Sequence, residues 1–264
     1  MKTVIAPAVL AGLAAVSTAQ VSYVGGVYSQ SFDTLPDTGY SSTVTGRGPH
    51  ALNGAFGISG LDGWQGANFG GSSSNTEFRS HNGGLSGSAG RGVLSLGTDG
   101  SGERALGTLA TSNQISTFGA VFTNDTGTTL TQFTLSYVGE QWRRGNVGAP
   151  NSLFFSYGLA SGLQDATLTP DTDLTFVAPN TQASPTEVAL DGNAAGNFTS
   201  LSKTITDLNW LPGTTLVVQW AGQDQTGQDD GLAIDSVRFS AAVPAPGATL
   251  ALIAGLGLAA RRRR

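Results

Sequence analysis

The 264-residue chain has no cysteine, two histidines and one methionine. Without thiols it can build no disulfide framework, no thiolate metal site and no cysteine nucleophile. His50 and His81 alone cannot form a three-histidine catalytic zinc centre. Charge is scarce as well: Asp, Glu, Lys and Arg make up 12% of the residues. Five of the 13 basic residues, Lys2 and Arg261, Arg262, Arg263 and Arg264, stand at the two ends, which leaves the middle with eight basic residues against 18 acidic ones. That balance argues against nonspecific binding to nucleic acid or an anionic membrane surface, and it suits solubility or divalent cations. Nor does any stretch sustain a 3.6-residue apolar period, which argues against a helix-rich architecture.

What is present falls into three parts. Lys2 precedes an alanine-rich apolar run from Val4 to Val16, and Ser17, Thr18 and Ala19 place small residues before a cleavage point ahead of Gln20. This is the order of a secretory signal, residues 1–19, with cleavage after Ala19. At the other end, Val243, Pro244, Ala245, Pro246 and Gly247 lead into apolar residues from Ala248 to Ala260, and the four arginines follow. As a helix this run is about 20 Å long, short of a hydrocarbon core of about 30 Å, although arginine stems extend it by snorkelling. The arginines predict an end that stays cytoplasmic while the body faces outward. The proline-glycine stretch ahead of the run is an accessible place for enzymatic cutting.

Residues 20–242 remain for one domain, long enough to bury its own core. With 38 glycines in the chain and short apolar alternations between polar bends, they predict an all-β fold, an antiparallel β-sandwich of jelly-roll-like type flanked by hydrophobic N-terminal and C-terminal helices. Phe118, Ala120 and Phe122 alternate before Asn124-Asp125-Thr126-Gly127, and Phe133, Leu135 and Tyr137 alternate after it, which predicts a hairpin. Further strands are expected at Leu153 to Tyr157, Leu174 to Phe176, Leu201 to Ile205, Leu216 to Trp220 and Leu232 to Phe239. Ser31-Phe32-Asp33 belongs to an expected opening strand.

Three constellations could carry chemistry. The loop from Gln223 to Gly231 holds Asp224, Asp229 and Asp230 and fits either a structural Ca2+ site or a solvated turn; its spacing is not that of an EF-hand. Asp235 shares strand parity with Ala233, Val237 and Phe239, so it is expected to point at the core unless a bulge intervenes. There it would be a structural tie or a metal ligand, with Arg104 and Arg143 as available partners. Glu140, Trp142 and Arg143 combine an acid, an aromatic face and a guanidinium, the groups of a glycan-binding surface. The same three also fit a core edge with an internal ion pair. Catalysis has little support. No Gly-x-Ser-x-Gly elbow frames a serine, and both histidines sit in glycine-rich surroundings. A polysaccharide hydrolase would need two carboxylates across a cleft.

The C-terminal segment 243–264 resembles the PEP-CTERM sorting signal of Gram-negative bacteria. Its usual motif is Val-Pro-Glu-Pro, and Ala245 here stands in place of the Glu. The resemblance implies an exosortase-like processing enzyme as partner, transient insertion in the inner membrane, and delivery to the cell surface or extracellular matrix. The body resembles a family of uncharacterised secreted bacterial domains through Ser31 to Pro36, Gly102 to Gly107, Gly119 to Asn124, Gly139 to Arg143 and Asp230 to Asp235; this implies an intact extracellular jelly-roll-like module and transfers no activity. Together these readings predict an exported, noncatalytic surface or matrix protein that binds exopolysaccharide, with an adhesive protein lacking a small ligand and a secreted hydrolase as the alternatives.

Overall fold

Short runs with one apolar face can bury that face only against a second layer, and here two sheets supply it to each other. The computed structural model describes residues 20–84, 90–146, 149–181 and 186–243. The predicted signal with Ala19, the motif residues Pro244, Ala245, Pro246 and Gly247, and both predicted terminal helices lie outside them. In chain order the strands are β1 (Val21–Tyr23), β2 (Tyr28–Gln30), β3 (Ser41–Val44), β4 (His50–Ala51), β5 (Trp64–Gly70), β6 (Thr76–His81), β7 (Gly92–Leu96), β8 (Ala105–Leu109) and β9 (Ile115–Asn124). They continue as β10 (Gln132–Arg144), β11 (Ser152–Gly158), β12 (Thr169–Pro170), β13 (Phe176–Val177), β14 (Val188–Ala189), β15 (Phe198–Ile205), β16 (Thr215–Ala221) and β17 (Gly231–Ala242). One helical turn, α1 (Leu52–Ala55), interrupts them. No helix among the described residues is long and apolar enough to cross a membrane.

The first sheet runs β12-β11-β16-β9-β5-β4, with β1 on β9 and β13 on β11. The second runs β14-β10-β17-β8-β7-β6-β3, with β15 on β10 and β2 on β17. Pairing is antiparallel except for β1 with β9 and β6 with β7. The result is a two-sheet, jelly-roll-like sandwich. Aromatic rings close the space between the sheets. Phe122 of β9 stacks on Phe239 of β17 at 4.2 Å, and Trp220 of β16 meets Tyr137 of β10 edge-on at 5.3 Å. Burying each such phenylalanine contributes about 2–3 kcal/mol.

Three local expectations change. The alternations around Phe118 and Phe133 are strands, yet they form no hairpin: β9 pairs with β1, β5 and β16, and β10 with β14, β15 and β17. Asn124 redirects the chain, its Nδ2 donating to Thr128 O and to Trp210 O at 2.8 Å each. The connection therefore crosses from one sheet to the other. Ser31, Phe32 and Asp33 belong to no strand: β1 is the first strand among the described residues, β2 ends at Gln30, and Phe32 follows in a left-handed conformation, φ 61°, with its ring buried in the core. Finally, Ser136 faces Arg238 while Val138 faces Asp235, so β17 carries one extra residue there, and Ser236 takes φ 52°. This bulge separates Asp235 from the core-facing Val237 and Phe239.

Candidate functional site

The bulge at Ser236 decides where Asp235 goes. Leu232 and Ile234 before it, and Val237 and Phe239 after it, all join the main core, so the extra residue resets the alternation. Asp235 therefore keeps the parity of Ala233, which packs outside the sandwich interior with Leu94, Leu96, Ala105, Leu109 and Trp142. On β10, Glu140 lies opposite Ala233, and on β8, Leu106 lies opposite Ile234. Three adjacent strands thus deliver Glu140, Asp235 and Glu103, the last from the lead-in to β8, to one spot on the outer face of the second sheet.

One carboxylate oxygen from each residue lies within 4.8 Å of the others. Glu140 is 1% exposed, while Glu103 and Asp235 are half-buried. The donors are few. Trp142 Nε1 donates to Glu140 Oε2 at 2.8 Å, Asn193 Nδ2 to Glu103 Oε2 at 2.5 Å, and Ser236 Oγ to Asp235 Oδ2 at 2.9 Å. Glu103 Oε1 and Asp235 Oδ1 are closed to solvent and accept no hydrogen bond. Burial raises the pKa of all three acids, and neighbouring acids raise it further. Glu140 is pushed to about 8, held back by the Trp142 bond. Such a cluster can exist as a proton-sharing group or as the oxygen shell of a metal ion.

The residues expected to bind glycan are elsewhere engaged. Trp142 is 1% exposed, and Gly192 packs so closely that a Cβ there would lie 2.4 Å from its indole. Its ring offers no face to a sugar. Arg143, also 1% exposed, donates to Gly83 O at 3.1 Å and pairs with Glu187 at 3.2 Å. Arg104 is a buried tie, though to other partners than Asp235: it donates to Ser95 Oγ at 2.9 Å, Ser95 O at 2.7 Å and Asp37 at 3.2 Å.

The three aspartates of the 223–231 loop do not converge on one point. Asp230 accepts from the backbone N–H of Gly145 at 2.7 Å and of Asn151 at 3.2 Å. Asp229 Oδ1 accepts from Asn151 Nδ2 at 2.7 Å and from Gln225 N at 2.9 Å. Both pin loops together. Burial pushes Asp229 to about 7, with Asp224 adding to the rise. The histidines serve the backbone: His50 Nε2 bonds Gly46 O, and His81 Nδ1 accepts from Gly83 N. Glu103 escaped notice in the sequence, since nothing in its neighbourhood shows that β8 adjoins β17.

No protein-family model matches the chain, and no curated protein matches it in sequence. Among solved structures it is similar to the K2 cleaved adhesin domain of Lys-gingipain, with 11% identity over 81% of this chain and 97% of that one and a TM-score of 0.36. It is also similar to the K3 cleaved adhesin domain of Lys-gingipain from Porphyromonas gingivalis, with 14% identity over 52% and 74% and a TM-score of 0.33. A third similarity is to the CBM22-1 xylan-binding domain from Paenibacillus barcinonensis, with 11% identity over 86% and 99% and a TM-score of 0.32. With overlaps this loose, the fold rests on the chain's own strand pairing.

Proposed function

We propose that the chain is an exported, noncatalytic protein of the bacterial cell surface or extracellular matrix, carried there by its N-terminal signal and released from the inner membrane by an exosortase-like enzyme acting at Val243 to Gly247. The observation that carries the noncatalytic reading is the internal use of the reactive groups. Glu140, Arg143, Arg104 and His81 are each 1% exposed, and a polysaccharide cannot reach a carboxylate sealed in this way. Hydrolysis of a glycosidic bond also calls for two carboxyl groups about 5–9.5 Å apart with substrate between them; in the group of Glu103, Glu140 and Asp235 one oxygen from each lies within 4.8 Å of the others, and Glu140 is 1% exposed, which leaves no room for a sugar between them.

Exopolysaccharide is the partner this reading assigns. A recess of about 560 Å3 bordered by Gln20, Ser22, Tyr28, Gln30 and Asp62 presents hydroxyl, amide and carboxylate groups suited to sugar hydroxyls. The burial of all four tryptophans, at 0–1% exposure, favours a second reading, an adhesive matrix protein without a glycan ligand.

Expression of the full chain in a Gram-negative host with a PEP-CTERM sorting system, beside a chain ending at residue 242, tests the assignment. The full chain is expected at the surface or in the matrix with its tail removed, and the shorter one free in the periplasm. Full-length protein in the cytosol, with Arg264 still attached, would overturn it. Saturable binding of purified exopolysaccharide, weakened by Gln30→Ala with Asp62→Ala, assigns the glycan reading; self-association without binding assigns the adhesive one.

A further inference from the structure

We propose that Glu103, Glu140 and Asp235 form a structural site for a hard divalent cation of the Ca2+ class, built across β8, β10 and β17 on the outer face of the second sheet. Oxygens bound to one Ca2+ at about 2.3–2.6 Å lie no more than about 5 Å apart. The three carboxylates meet that limit, with one oxygen from each within 4.8 Å of the others.

Proximity of acids alone would not make a site; the unpartnered oxygens do. Glu103 Oε1 and Asp235 Oδ1, oxygens of two of the three residues, are shut off from water and have no donor. Glu140, 1% exposed, receives a single donor, the Trp142 indole, for its two oxygens. Leaving buried carboxylate oxygens unmatched costs several kcal/mol unless a charge or a proton compensates. Among the described residues no cationic side chain forms an ion pair with any of the three. Asp33 and Asp191 add negative potential to the cluster; the charge of Arg104 offsets it at Glu103 only as the smallest of the influences there, and the guanidinium gives its hydrogen bonds to Ser95 and Asp37.

The donor set selects the ion. It contains only carboxylate oxygens, without the nitrogen or sulfur ligands that favour zinc or copper. Three carboxylates can supply up to six oxygens, near the six to eight that Ca2+ takes, and Ca2+ tolerates the irregular geometry that three twisted strands provide. The ion would tie β10, β17 and the entry to β8 at a place where the bulge at Ser236 weakens the ladder.

The test uses the purified full-length chain at pH 8, melted in chelator and in excess Ca2+, and titrated with Tb3+ while tryptophan is excited. Ca2+ is expected to raise the melting temperature, because a ligand that binds only the folded state must stabilise it. Trp142 contacts Glu140 directly, so bound Tb3+ is expected to emit by energy transfer and to be displaced by Ca2+. Glu140→Gln and Asp235→Asn keep the shape and remove one charge each, and each is expected to weaken Tb3+ binding by about tenfold or more. Asp224→Asn, in the separate acidic loop, is expected to leave binding unchanged. Coincident melts with no displaceable emission would overturn the site, as would binding lost in Asp224→Asn and kept in both cluster variants. Melting of the parent chain decides the matter even where a variant does not fold.

Discussion

His81 shows how strongly a single buried side chain can link this fold to pH. It is 1% exposed, and desolvation lowers its pKa from 6.5 to about 4, with the charges of Arg143, Arg104 and Arg79 adding to the fall and a bond to Gly90 O opposing it. Between those two values the unfolded chain holds a proton that the folded chain refuses. The stability due to neutral His81 is therefore complete above about pH 6.5 and is lost as pH falls toward 4, by up to about 3 kcal/mol. His81→Gln removes this titration. In urea unfolding, the stability gap between parent and variant is expected to narrow steadily from pH 7 to pH 4; a gap that stays constant would show that His81 is not the linked group. The glycine-rich setting of His81 gives no sign of burial; it is covered because it ends β6 beside β7 and bonds Gly83, whose carbonyl accepts from Arg143.

At the scale of elements, the alternations at Phe118, Phe133, Leu153, Leu216 and Leu232 were legible because each strand has an inward apolar face. Their partners were not. A bend at Asn124 looks alike whether the chain folds back on itself or crosses to the facing sheet, and the side-chain bonds to Thr128 O and Trp210 O decide between them. The bulge on β17 is similarly silent in sequence, since serine gives no sign that it will adopt φ 52°. Holding a non-glycine residue there costs about 1–3 kcal/mol, and a β-branched side chain adds to it. Ser236→Val is thus expected to lower the melting temperature clearly, whereas Ser236→Gly, which trades strain relief against the bond to Asp235, is expected to change it little. Equal losses in both would mean that the hydroxyl bond, not the backbone conformation, matters at this position.

For the whole molecule, stability depends on aromatic contacts that join the sheets. The ring of Phe239 meets that of Phe122 across the sheets with centroids 4.2 Å apart and that of Tyr23 at 5.4 Å, while Phe133, in its own sheet, lies at 5.4 Å and Trp210 at 6.2 Å. Phe239→Ala is expected to cost about 3–5 kcal/mol. Combined with Phe122→Leu, it is expected to cost less than the two separate losses together, because the second change removes a contact already gone. Simple additivity in denaturant unfolding would show that this stack does not couple the sheets. Composition and alternation by themselves determined an acidic, cysteine-free, all-β body, because side-chain polarity and strand period act locally along the chain. Which strands are neighbours, which outer faces are covered, and which acids meet were decided only by tertiary structure. Glu103 and Asp235 are 132 positions apart in the sequence, and what brings them into one cluster with Glu140 is the order β10-β17-β8 together with one bulge, neither of which any local pattern encodes.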